Sequence, residues 1–191
     1  HLVNFAQGEL AMFATYIAWS LIQTGLPYWL AFFATVAIAF ALGAVIERIV
    51  VRPVEQASVL SVVIVFIGLL VILNSLAGWI FTYTIKPFPS PFPAQPLWGN
   101  TYVTSHELGA IGVTLVVLAL VFVFFRFTPL GLAMRAAAIN PESSRLVGVR
   151  VGWMLALGWG LASAIGAVAG IMVAPIVFLE PNMMAGILLY S

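Results

Sequence analysis

The chain has 191 residues, of which 63% are hydrophobic and only 7% charged, with no cysteine and a net charge of +1. Average soluble domains carry roughly 25% charged residues, so this composition is that of an integral membrane protein. It excludes thiolate metal sites, disulfides and a cysteine nucleophile, and offers no basic field for nucleic acid.

A membrane helix needs roughly 20 mostly apolar residues to cross about 30 Å of hydrocarbon. Five stretches qualify, at about Leu10 to Leu26, Tyr28 to Ile46, Val59 to Phe81, Leu108 to Phe125 and Val151 to Phe178. The expected fold is therefore all-α, a polytopic membrane helix bundle with one transmembrane domain over residues 1–191. The chain opens on His1 without a charged leader and ends in an apolar run, so it is expected to be a fragment of a longer polytopic protein, truncated at both ends.

The first span has a polar entry, Asn4 to Glu9, and Asn74 interrupts the third. Asn4, Gln7, Glu9 and Asn74 in hydrocarbon must find partners, either as interhelix hydrogen bonds or along a water-lined translocation path. For Glu9 the simpler expectation is snorkelling to the interface. Between the second and third spans lie Arg48 and Arg52, with Glu47 marking a span end. The connection from Thr82 to Glu107 carries Pro87, Pro89, Pro91, Pro93 and Pro96, which favour an extended path. Trp19, Trp29, Trp79, Trp98 and Trp153 suit the headgroup level.

Six of the seven basic residues fall in two connections, Arg48 and Arg52 in one, Arg126, Arg135, Arg145 and Arg150 in the other. Both lie on the same side of an alternating chain, which the positive-inside rule makes cytoplasmic. The second of these, residues 128–150, is the longest stretch of mixed polarity. Pro129 and Gly131 break the fourth span, Leu132 to Ile139 reads as helical, and Asn140, Pro141 and Glu142 supply an N-cap, a first-turn proline and a dipole-facing carboxylate for a helix to Val147. Gly148 supplies the left-handed stop. Two short capped helices between spans form either a rigid docking element or an interfacial loop on lipid headgroups.

In the fifth span Gly158, Ala162, Gly166 and Gly170 recur at steps of four and are expected to pack against another helix, with a glycine hinge as the alternative. Pro175 is expected to kink or end that helix. No nucleophile with a base, metal cluster or phosphate loop occurs, so no catalytic residue, metal site or cofactor is expected and any ATP energy must come from a partner.

Asn4-Phe5-Ala6-Gln7-Gly8-Glu9-Leu10, Glu47-Arg48 with Arg52-Pro53, and Thr128-Pro129-Leu130-Gly131 leading through Met134-Arg135-Ala136 and Asn140-Pro141-Glu142 to Gly148 resemble the permease subunits of branched-chain amino-acid ABC importers. The entry departs from that pattern at Gln7, where the family usually has histidine; glutamine hydrogen-bonds but does not titrate near neutral pH. The resemblance implies a multi-pass permease of the bacterial or archaeal plasma (inner) membrane without enzymatic activity of its own. It further implies two cytoplasmic ATPase subunits, a second homologous permease and a periplasmic or extracellular solute-binding protein. Arg135, Asn140, Pro141, Glu142, Ser143, Arg145 and Gly148 would then form the ATPase-coupling segment. Related permeases carry urea and short amides, and an ATP-independent secondary transporter is the rival from another class.

Overall fold

Every element of the computed structural model is a helix, and the structure describes residues 6–82, 84, 86–90 and 105–177. They are α1 (Ala6–Gln23), α2 (Tyr28–Ile46), α3 (Val59–Phe81), α4 (Ser105–Phe127), α5 (Pro129–Ile139), α6 (Pro141–Leu146) and α7 (Val151–Val177). Local chemistry sets most of their ends. α1 stops earlier than expected because Gly25 takes φ +98°, letting Gly25 N–H reach Ile22 O and Leu26 N–H reach Leu21 O. That is a Schellman stop, with Pro27 just beyond it. α3 starts on Ser58, whose hydroxyl accepts from Ser61 N–H.

The connection after α2 is helical rather than a loop. α2 runs on through a π-helical turn, Glu47–Val51, and a 3₁₀ turn, Arg52–Val54. Pro53 has no N–H to continue an α-helix, and the ladder loosens around it. Arg52 N–H donates to Glu47 O, while the Arg52 guanidinium grips the Glu47 carboxylate at 3.0 and 3.4 Å. Glu47 is buried, so this ion pair keeps a charge from standing alone in an apolar surround.

Among the described residues four helical stretches are long and apolar enough to cross a bilayer: Tyr28–Val54, Val59–Phe81, Ser105–Phe127 and Val151–Ile176. The expected first span, α1, is not among them. It carries Gln7, Glu9 and Gln23 within 18 residues. It is instead the centre of the first of two compact units, which holds α1, α2, α3 and α7 from Trp159 onward. Glu9 to Met12, Ala14 to Tyr16 and Ala18 are all buried, and α1 packs on both α2 and α3. A helix ringed by protein has no lipid to satisfy, so its hydropathy can fall.

The contacts of this unit are of two kinds. Leu10, Leu69 and Leu73 make a conventional apolar cluster with Ile46 and Trp159 beside it, and Tyr16 stacks on Phe81 at 4.7 Å. Elsewhere backbones come close. A Cβ on Gly170 would meet Thr15 Oγ1 at 2.3 Å and Ala11 O at 2.9 Å; one on Gly43 would meet Ser163 Oγ at 2.2 Å and Trp159 O at 2.6 Å. Ala14, Ala39 and Ala167 fill the space between.

Two of the four residues of the expected small-residue stripe lie against α1. Gly166 and Gly170 face Gln7, Ala11 and Thr15 of α1, whereas Ala162 is exposed and Gly158 has only the Met134 methyl near it, at 4.0 Å. Four residues advance a helix by about 400°, so a row at steps of four drifts around it. The buried face follows Gly160, Ser163, Ala164, Ala167, Gly170, Ile171 and Ala174, which alternates threes and fours. α7 also continues through Pro175 rather than ending there.

The second unit comprises residues 90–158. Within it α5 packs on both α4 and α6. Beyond His106 no residue of α4 is buried.

Candidate functional site

The α5–α6 segment is built almost entirely from caps. Thr128 takes extended dihedrals between α4 and α5; its hydroxyl donates to Phe124 O and accepts from Gly131 N–H at 3.1 Å. Pro129 thus begins α5 instead of breaking it, as its missing N–H is no loss at the first position. Gly131 is required by space, since a Cβ there would stand 2.3 Å from Phe124 O and 2.7 Å from Phe125 Cα.

The same device recurs twelve residues later in Asn140-Pro141-Glu142-Ser143. Asn140 Oδ1 accepts from Ser143 N–H at 3.0 Å, and Ser144 Oγ donates to Asn140 O at 2.8 Å. Asn140 N–H meanwhile closes α5 on Ala136 O at 3.0 Å. One residue ends α5 and begins α6, which leaves the elbow no free link. At the far end Gly148, at φ +90°, donates to Arg145 O, and Val149 N–H reaches Ser144 O, a second Schellman stop.

This frame presents a mixed surface. Ser144 is the buried residue of α6, while Pro141, Glu142, Ser143 and Arg145 are exposed. Ile139, Leu146 and Val147 are 84, 88 and 79% exposed. Sequence reasoning singled out the polar residues and missed these three, although apolar side chains at the tips of two capped polar turns were the available signal. Arg135 sits apart from them, lining a groove with Arg126 on the α4–α5 corner.

The second polar constellation lies inside the first unit. Asn74 Nδ2 donates to Glu9 Oε2 at 3.4 Å. Glu9 is 2% exposed, so it does not snorkel as expected but is enclosed by its neighbours. Gln7 lies on the same helix with its amide nitrogen 3.7 Å from where a Gly166 Cβ would be. Asn4 lies outside the described residues. The Glu47–Arg52 pair was also missed; its signal is an acid five residues before an Arg-Pro step. Among the described residues no group of three or more His, Asp or Glu could hold a metal ion.

The family model described as branched-chain amino acid transport system / permease component matches residues 1–190. The chain belongs to this family. It is a transport permease by family and a multi-pass protein of the plasma membrane. It is 28% identical over 185 residues to the high-affinity branched-chain amino acid transport system permease protein LivH of Salmonella typhimurium, covering 90% of this chain and 60% of the relative. LivH of Escherichia coli K12 is 28% identical over 188 residues, and the permease protein BraD of Pseudomonas aeruginosa 28% over 185, with the same coverage. The chain thus spans about 60% of the length of these curated relatives. No solved structure is similar to it.

Proposed function

We propose that this chain is the helical body of an ABC importer permease for branched-chain amino acids, without catalytic activity of its own. In this reading α5 and α6 form its handle for a separate ATPase. The observation that carries the proposal is the α6 element: a short helix capped at both ends, joined to its neighbours by one-residue and four-residue links, and holding Ile139, Leu146 and Val147 out with Glu142 and Arg145 between them. An apolar tip rimmed by charges is the composition of an interface core and rim. A short stiff segment between two spans passes on rigid-body motion, which a flexible loop would absorb.

The arginine distribution puts this element on the cytoplasmic side. Two cytoplasmic ATPase subunits, a second homologous permease and an extracellular or periplasmic solute-binding protein complete the assembly. Membrane lipid covers the remaining apolar faces. Branched-chain amino acids as cargo rest on the named relatives; a urea or short-amide cargo is the outcome to be tested against them.

The complete protein should co-purify with an ATPase subunit. Leu146→Asp should abolish this, and the Glu142→Ala, Arg145→Ala double variant should weaken it or uncouple hydrolysis from uptake. The chain contains no cysteine, so a single one at Ser143 reports the topology: an impermeant maleimide should reach it in inside-out vesicles only. Labelling from outside intact cells, or unchanged coupling in all variants, would refute the assignment.

A further inference from the structure

The corner between α4 and α5 forms an open groove of about 450 Å³ lined by Val121, Phe122, Phe125, Arg126 and Arg135. Its chemistry is divided. Val121, Phe122 and Phe125 make an apolar wall along α4. Arg126, in the last turn of α4, and Arg135, on α5, add two cationic side chains to the same lining. Both arginines are exposed, and among the described residues neither pairs with a carboxylate.

The corner that holds them is fixed by the Thr128 cap and the close seat of Gly131 on Phe124. Both arginines thus line one groove at the end of a span, where the dipole of α4 favours the positive charge of Arg126, and among the described residues no carboxylate neutralises either. Two cationic side chains attract an anionic phosphate. Five residues of helix, from Val121 to Phe125, give about 7.5 Å of apolar wall, which a free anion cannot use but an acyl chain can.

We propose that this corner binds one anionic phospholipid, its phosphate between Arg126 and Arg135 and an acyl chain along Val121, Phe122 and Phe125. The site rests on the membrane placement of α4, not on the docking of α6, and a lipid-binding readout separates the two. Arg135 accordingly serves the bilayer rather than the ATPase.

The test uses the complete protein, any cysteine outside these 191 residues replaced by serine, with a bimane label on Phe122→Cys, reconstituted in phosphatidylcholine vesicles holding increasing fractions of brominated phosphatidylglycerol or brominated phosphatidylcholine. Phosphatidylglycerol should quench at a mole fraction lower by a factor on the order of five or more, the gain expected from charges close to an anionic headgroup. The Arg126→Gln, Arg135→Gln variant should lose that preference, and Arg126→Lys, Arg135→Lys should keep it, which separates lost charge from lost fold. A label on Ile49→Cys, beside Arg48 but without a paired groove, should show a smaller preference. The proposal falls if both lipids quench equally at position 122, if the preference is as large at 49 or survives in the glutamine variant, if the lysine variant loses it, if inorganic phosphate abolishes it, or if neither lipid quenches because protein covers the site.

Discussion

α1 and α4 invert the usual relation between hydropathy and burial. α1 carries a glutamate and two glutamines, falls short of a membrane span by composition, and is largely buried from Gly8 to Ala18. α4, from Leu108 to Phe125, has no charged residue at all, yet contributes almost nothing to a core. In water the apolar face turns inward. In hydrocarbon the solvent is itself apolar, so apolarity marks contact with lipid, and the interior is chosen by backbone approach and polar pairing.

The sharpest test of this contrast is one glycine on each side of it. Gly170→Leu drives a side chain into Thr15 and the Ala11 carbonyl and should cost about 3 kcal/mol or more, seen as aggregation or a large fall in thermal midpoint of the complete protein. Gly112→Leu on α4, with nothing within 4 Å of its Cβ position, should leave the midpoint unchanged. If the two behave alike, the close α1–α7 approach is wrong.

Next in size is the polar pair. Glu9→Ala leaves the Asn74 amide without its carboxylate and should destabilise by about 1–3 kcal/mol. A double-mutant cycle with Asn74→Ala should recover a coupling of about 1 kcal/mol. Zero coupling would mean that the two residues serve other partners.

Smaller still is the elbow. Asn140→Ala removes the amide-oxygen cap acceptor for Ser143 N–H and should cost about 1 kcal/mol locally. Faster amide exchange at Ser143 and Ser144, with the global midpoint little moved, is the expected readout. The smallest effect belongs to lipid-facing α4: Leu118→Ala, at 59% exposed, should stay within about 0.5 kcal/mol.

Much of the cytoplasmic segment was legible because its determinants are neighbours in the chain. Asn140, Pro141, Glu142 and Gly148 act within one turn of themselves, and their caps form as residue type dictates. The reading erred at Pro129, where the same logic of cap then proline applied and a break was expected instead; Thr128 makes it a helix start. The resemblance implies a coupling role for Arg135; that it also lines a groove with Arg126, on the preceding helix, was not legible in the sequence.

By itself the sequence determined that the chain crosses a membrane, where its helices lie to within a few residues, and how each short helix is capped, because those outcomes depend on composition and on groups a turn or two apart. Tertiary structure alone decided that Glu9 meets Asn74 65 residues away, that α1 is central, and that Gly43 and Gly160 rather than Gly158 and Ala162 mark a close crossing. The reason is that helices apolar on every side carry no stripe to say which face turns inward. Only the approach of another backbone settles that.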